Sequence, residues 1–330
     1  MRTREVKAVS VREIERAVVI LRGGGLVAFP TETVYGLGAD ALNPAAVKKI
    51  FAAKGRPESH PVIVHLADAS QLARWARGIP KAALRLADVF WPGPLTLILR
   101  RAEKVPDAVT GGQDTVGLRV PAHPVAHTLL QAFGSGIAAP SANRFGRLSP
   151  TTADHVRGEL GERVDMILDG GPCALGLEST IVDLSGSHPA LLRPGKISVS
   201  ELKKVLKTPL VLPGPTSPRA PGTMTVHYAP LTPLRLISGK ALAEAAHELG
   251  SLGKRAAILT YRHAPLGGAN VTWIAAPAQA TAYARALYSN LRRLDQKRVD
   301  VILVEEVPPG EEWDAVRDRL EKAASPKERS

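Results

Sequence analysis

Apolar positions along the first two hundred residues switch repeatedly between helical and strand-like spacing. Ser10-Val11-Arg12-Glu13 reads as a capping box, after which Ile14, Ala17, Val18 and Leu21 recur on one helical face until Gly23 supplies a stop. Leu26 to Phe29 then predicts a short buried strand, Asn43-Pro44 opens a helix carrying Val47, Ile50 and Phe51, and Val62 to Leu66 predicts another strand. Helical patterns at 70–77, 80–90, 124–132, 152–160 and 198–207 interleave with strand-like runs at 95–99, 115–120, 136–139, 166–169, 180–183 and 190–193. Such alternation predicts an α/β domain with a sheet flanked by helices.

Between Lys207 and Pro233 lie seven prolines, at 209, 213, 215, 218, 221, 230 and 233, so this stretch reads as a semi-rigid extended linker. Beyond it the pattern runs strand 234–238, helix 240–250, strand 255–261, strand 271–275, helix 278–294, strand 299–304, helix 311–323, a small Rossmann-like α/β domain. No Gly-x-Gly-x-x-Gly follows these strands, and Gly267-Gly268 reads as a turn, so this domain is assigned no chemistry. The predicted organisation is a domain at 1–207, a linker at 208–233 and a second domain at 234–330.

Composition changes this picture little. A hydrophobic fraction of 45% and a charged fraction of 22% across 330 residues fit a globular chain with a substantial core. The chain lacks an apolar run long enough to span a bilayer, and its start leads into a charged amphipathic helix, so a cytoplasmic protein without membrane attachment is expected. Cys173 is the only cysteine, which excludes an internal disulfide and a thiolate zinc cluster. Charge is more informative. The net +12 would attract polyanions, whether nucleic acid, ATP or pyrophosphate. Residues 231–330 carry 15 Lys and Arg against 12 Asp and Glu, so nine of the twelve excess charges lie before them.

Three blocks each follow an apolar strand-like run: Phe29-Pro30-Thr31-Glu32-Thr33-Val34-Tyr35-Gly36-Leu37-Gly38, Lys54-Gly55-Arg56-Pro57 and Ala139-Pro140-Ser141-Ala142-Asn143. Hydroxyls, cations and an amide from distant sequence would meet at one edge of a sheet, where α/β folds bind ligands. Lys54 and Arg56 flank a glycine and can serve one phosphate cluster, although Lys-x-Arg alone also reads as a solvated basic helix end. Ser141 and Asn143 can bind phosphate oxygens, or form an ordinary turn. Arg119 lies inside the apolar strand Leu118-Arg119-Val120, which is costly unless an anion pairs with it. That anion is either an internal Asp or Glu or the carboxylate of a ligand held by the planar guanidinium.

These blocks resemble the YrdC-like family, the threonylcarbamoyl-AMP synthases. The resemblance extends through Asp114-Thr115-Val116-Gly117-Leu118-Arg119-Val120-Pro121, Leu177-Glu178-Ser179-Thr180-Ile181 and Leu192-Arg193-Pro194-Gly195, covering residues 10–207. Ala220-Pro221-Gly222-Thr223-Met224 with His227-Tyr228-Ala229-Pro230 resembles the linker of the long, two-domain form. The resemblance implies a twisted YrdC-like open sheet with flanking helices, and synthesis of threonylcarbamoyl-adenylate from L-threonine, bicarbonate or carbon dioxide, and ATP, with Mg2+ accompanying the nucleotide. It implies that Lys54, Arg56, Ser141 and Asn143 form the catalytic, nucleotide-handling signature. His60, Thr115, Ser149, Arg193, His227 and Tyr228 would join Arg56, Ser141 and Asn143 around ATP. Thr31, Thr33, Tyr35, His65, Arg119, Ala139 and Ser179 would surround L-threonine. The product would feed a threonylcarbamoyl transferase machinery that modifies transfer-RNA adenosine.

The proline-rich segment is expected to reach the site, with His227 or Tyr228 covering the nucleotide and excluding water from a reactive adenylate. A basic RNA-binding or ribosome-assembly protein is the competing reading of the +12 charge, and weak RNA contact is compatible with either. The related carbamoyl-adenylating enzymes of hydrogenase maturation carry cysteine zinc motifs, which a single cysteine excludes.

Overall fold

The computed structural model describes residues 9–223, 228–262 and 270–324. The predicted turn at Gly267-Gly268 lies outside them. Contacts divide the chain into two compact units, one made of Met1–Phe145, Pro150–Ala174 and Glu178–Thr223, the other of Gly146–Ser149, Leu175–Leu177 and Met224–Ser330. The division falls inside the proline-rich segment, after Thr223, and two short stretches from earlier in the sequence group with the second unit.

The first unit is built on a mixed sheet. Its strands are β1 (Val27–Phe29), β2 (Gly36–Asp40), β3 (Ile63–His65), β4 (Leu95–Arg100), β5 (Thr115–Arg119), β6 (Ile137–Ala138), β7 (Met166–Ile167), β8 (Thr180–Asp183) and β9 (Ala190–Arg193). They lie in the order β7-β1-β2-β6-β3-β5-β4-β8-β9. Three pairs, β1/β7, β3/β5 and β4/β8, are parallel, and the others are antiparallel. Both faces are covered, so the central strands are apolar on both sides. Val27 and Phe29 face one cluster with Ile14, Ala17, Leu21 and Leu129, whereas Leu26 and Ala28 face the other with Val47, Ile50 and Leu86.

Local chemistry fixes the helix ends that matter for the site. Ser10 and Glu13 form the predicted capping box, the Ser10 amide donating to Glu13 Oε2 at 2.8 Å, and the helix Val11–Arg22 follows. Asn43 Oδ1 accepts from the amides of Ala45 and Ala46 to start the helix Pro44–Lys54. That helix stops because Gly55 turns left-handed at φ 61, letting the Arg56 amide donate back to Phe51 O at 3.0 Å. Lys54 is therefore the last helical residue, and Arg56 leaves in a new direction.

The sequence pattern missed β2, whose Gly36-Leu37-Gly38-Ala39-Asp40 contains no β-branched residue. Its pairing with β1 and β6 overrides that weak propensity.

The second unit carries four parallel strands, β10 (Leu234–Ile237), β11 (Ala256–Thr260), β12 (Val271–Ala275) and β13 (Val301–Glu305), ordered β10-β13-β11-β12. Glu305 is buried at the end of β13 and ties it to the end of β11, accepting from Thr260 Oγ1 at 2.7 Å and the Tyr261 amide at 3.0 Å. Asp295, on the helix Ala280–Asp295, accepts from the amides of Leu231 and Thr232 and pairs with Arg147 at 3.3 Å.

Tyr283 packs edge-on against Tyr261 and Trp313, and its buried Oη has no hydrogen-bond partner among the described residues. An unmade buried hydrogen bond destabilises by about 1–3 kcal/mol. The Tyr283→Phe variant is accordingly expected to melt at the same temperature as the parent or higher, by up to about 1 kcal/mol of stability. A loss exceeding about 1 kcal/mol in chemical denaturation would show that the hydroxyl is satisfied.

Candidate functional site

The site begins where β3 and β5 end. These strands run parallel with His65 directly opposite Arg119, and β6 lies antiparallel on the other side of β3. The Ala139 amide donates to Ile63 O, and Ser141 forms an isolated bridge with Gly36. Residues from four distant segments are thus brought to one edge.

Four of the predicted cations are buried. Lys54 is 3% exposed, Arg56 8%, Arg119 4% and Arg193 3%, which excludes the solvated helix end for the Lys-x-Arg pair. Each guanidinium or ammonium is then tied to oxygens, as burial of charge demands.

Lys54 Nζ donates to the carbonyls of both Ser141 and Asn143, fastening the two signature blocks together. Burial first, and then the Arg56 guanidinium, holds the Lys54 ammonium well below its ordinary range. Arg56 Nη2 donates to Pro61 O at 2.8 Å, and its guanidinium lies 6.0 Å from the Phe145 ring centroid. The half-buried His60 ring tilts against Phe145 with centroids 5.4 Å apart. Burial lowers the His60 pKa, with Arg56 and Arg219 contributing in the same direction.

Arg119 Nη2 donates to Glu32 Oε1 at 2.5 Å, Nη1 to Thr33 Oγ1 at 2.9 Å and Nε to Gly93 O at 3.2 Å. Of the two anions open for Arg119 in the sequence, an internal acid is present as Glu32, whose other oxygen accepts from the Ala122 amide. Three of the five guanidinium hydrogens are thereby engaged, leaving two beyond these contacts. His65 sits beside this network with its ring edge-on to Phe29, and its buried Nδ1 has no hydrogen-bond partner among the described residues. Burial, and next the positive charge of Arg119, push the His65 pKa down to about 3.

The hydroxyls divide into two groups. Thr31 Oγ1 donates to Val34 O at 2.7 Å and accepts from the amides of Thr33 and Val34, so it builds the turn itself. Tyr35 Oη donates to Gly171 O at 2.7 Å from a buried position, and burial raises its pKa. Thr33, in contact with both Thr31 Oγ1 and Arg119, faces the cation. Ser179 Oγ lies 2.8 Å from Thr96 Oγ1, and Arg193 grips Ser179 through its carbonyl and hydroxyl while Nη1 reaches Pro221 O at 2.8 Å.

Thr115 opens β5 with a half-buried side chain. Ser149 is buried and belongs to the second unit, as does Tyr228, whose ring stacks on Tyr288 at 6.0 Å beneath the Arg319 guanidinium. His227 lies outside the described residues. Glu32 and Thr96 were missed as site residues. The sequence signal for Glu32 was the unpaired-looking Arg119, which called for an acid without naming it. Cys173 is buried, and burial followed by Glu32 pushes its thiol up to about 12, so it is inert at neutral pH. Among the described residues no cluster of three His, Cys, Asp or Glu is arranged to hold a metal, and no helix is long and apolar enough to cross a membrane.

Residues 19–195 match the Sua5, YciO and YrdC family described as "Telomere recombination", and residues 197–325 match the family described as "Threonylcarbamoyl-AMP synthase, C-terminal domain". The threonylcarbamoyl-AMP synthase of Pyrococcus abyssi is 41% identical over 323 residues, covering 94% of each chain. That of Bacillus subtilis is 42% identical over 322 residues, covering 94% of this chain and 93% of the relative. A crystal structure of P. abyssi Sua5 complexed with L-threonine superimposes with a TM-score of 0.88 at 40% identity, over 96% of each chain.

A histidine whose folded pKa is depressed stabilises the fold fully above its ordinary value near 6.5 and loses that contribution as pH falls toward about 3. Between pH 6.5 and 4.5 the loss is about 2 kcal/mol at 1.36 kcal/mol per unit. The His65→Gln variant should therefore lose less stability than the parent between pH 7 and 4.5, read from urea midpoints. Parallel losses in the two proteins would contradict a neutral, buried His65.

Proposed function

The chain belongs to the threonylcarbamoyl-AMP synthase family, an enzyme family of transfer-RNA modification, and from that premise we propose how its edge of buried cations works. L-threonine, bicarbonate or carbon dioxide, and ATP are condensed to threonylcarbamoyl-adenylate and pyrophosphate. The observation that carries this reading is the register pairing of His65 with Arg119 at the ends of two parallel strands, with Thr33 and Glu32 completing the cation's shell.

The two remaining Arg119 hydrogens take the threonine carboxylate, and a neutral His65 beside them adds no charge to repel an approaching amine. Thr33 and Ser179 supply hydroxyl contacts to the amino acid. The threonine amine, having lost a proton to solvent, attacks carbon dioxide: an N–C bond forms as one C=O π bond opens onto oxygen, and a second proton leaves the nitrogen to solvent, giving the carbamate. A carbamate oxygen then attacks the α-phosphorus of ATP. The bond from that phosphorus to the bridging oxygen breaks, and its electron pair leaves on pyrophosphate.

Arg56 offsets charge on the departing pyrophosphate. Lys54 acts through geometry, holding the Ser141 and Asn143 loop so that its side chains and amides meet the nucleotide. Ser141 Oγ and Asn143 Oδ1 are the protein oxygens that would help hold a magnesium ion arriving with ATP, which would offset phosphate charge. No covalent nucleophile takes part. The adenylate is the activated donor for a downstream transferase acting on transfer-RNA adenosine.

Pyrophosphate release from ATP is expected to require L-threonine and bicarbonate together. Equal release with threonine omitted would overturn the reading. The Arg119→Lys variant, whose single ammonium cannot reproduce a planar fork, is expected to raise the KM for threonine by about tenfold while leaving that for ATP within about twofold. Selective loss of ATP affinity would assign Arg119 to the other substrate.

A further inference from the structure

The first part of the proline-rich segment is not a free tether. Residues up to Thr223 belong to the first unit, and Ala220 is buried in a cluster with Ile63, Ile98, Ile181, Ala190 and Leu192. Earlier along the segment, Val211 donates its amide to Pro189 O and accepts from the Leu191 amide.

Arg219, one residue before buried Ala220, is fixed at both backbone groups and at its side chain. Gln113 Oε1 accepts the Arg219 amide at 2.7 Å, and Gln113 Nε2 donates to Arg219 O at 3.1 Å. Arg219 Nη2 donates to Gly111 O at 3.0 Å. Gly111 is itself pressed onto the Ser59–Pro61 turn: its φ is +61, and a Cβ there would lie 2.2 Å from Ser59 O. The other flank of that turn is held by Arg56, through Pro61 O. Two guanidinia thus bracket His60, and both contribute to keeping its ring from gaining a proton.

Arg219 is itself exposed, yet it differs from a freely solvated arginine in two respects. An exposed arginine ordinarily keeps most of its rotamer freedom. Here the main chain is clamped by a side-chain amide 106 residues away, and one guanidinium hydrogen is directed to a backbone carbonyl, leaving four. Like charges also serve one turn, since Arg219 holds Gly111, which packs against the Ser59–Pro61 backbone that Arg56 holds through Pro61 O, and among the described residues no carboxylate pairs with Arg219 within ion-pair distance. Cations held together without an acid between them create a field suited to a polyanion.

We propose that Arg219 is a phosphate-binding residue on the ATP side, taking the polyphosphate jointly with Arg56, and that Gln113 is the residue that positions it. The inference rests on the reading above, in that the polyanion bound there is ATP and then pyrophosphate. Gln113 lies two residues before Thr115, so the start of β5 both lines the nucleotide side and fastens the segment that delivers the second guanidinium. The proline-rich segment acquires a chemical role in the first unit, separate from any lid formed by residues beyond it.

The test is equilibrium binding of ATP and of AMP to the full chain, without threonine, for the parent and the Arg219→Ala, Arg219→Lys and Gln113→Ala variants. The Arg219→Ala change should weaken ATP about tenfold and AMP less than twofold, because AMP lacks the β- and γ-phosphates. The lysine variant should recover part of the loss, and Gln113→Ala should weaken ATP although Arg219 is intact. In turnover assays the KM for ATP should rise and that for threonine should not. Unchanged ATP affinity in Arg219→Ala, or equal weakening of ATP and AMP, overturns the proposal. A parent protein that binds no ATP would overturn the functional reading itself, whereas a parent that binds ATP beside an Arg219→Ala variant that binds it equally well defeats this proposal alone.

Discussion

The contact on which the site depends is the Lys54 ammonium set against the carbonyl oxygens of Ser141 and Asn143. It joins the end of a helix to a loop nearly ninety residues later, and it does so where water is excluded. A buried ammonium is expensive, and its depressed pKa records that cost. The two carbonyls offset it, and neither partner can leave without stranding the other. Because Gly55 turns the chain sharply behind Lys54, the same contact fixes the direction in which Arg56 departs.

A common rule governs the neighbouring cations. Arg119 is held by a carboxylate, a hydroxyl and a carbonyl, and Arg193 by Ser179 and Pro221. Breaking a buried pair of the Arg119–Glu32 kind costs about 3–5 kcal/mol, so these guanidinia are oriented before any substrate arrives. Positive charge fixed in a dry edge stabilises developing negative charge without reorganisation, which is the usual source of the largest catalytic term. The protein also keeps its neutral groups neutral: His65 and the Cys173 thiol are both held uncharged by burial.

Much of this was legible in the chain. Ser10 and Glu13, Asn43 and Gly55 act through bonds to residues within four or five positions, so their roles follow from local sequence. The motif blocks likewise placed Arg56 just past a helix, Arg119 within a strand, and Ser141 and Asn143 just past one. What escaped depends on distance in sequence. Glu32 meets Arg119 across 87 residues, and β2 exists because β1 and β6 flank it, not because Gly36-Leu37-Gly38 favours extension. Lys54 read as a phosphate cation, because only the fold reveals the two carbonyls it faces. Arg219 went unnoticed in a proline-rich run whose composition indicates only stiffness, and the partner that fixes it, Gln113, is 106 residues away.

With Lys54 as a fastener and Arg56 as a phosphate ligand, a crystal structure with L-threonine and a non-hydrolysable ATP analogue tests that division most directly. The threonine carboxylate should lie on Arg119 beside Thr33, the triphosphate on Arg56, and Lys54 Nζ should still donate to the carbonyls of Ser141 and Asn143. A structure in which Lys54 abandons those carbonyls for phosphate, or in which the carboxylate is bound away from Arg119, would contradict it.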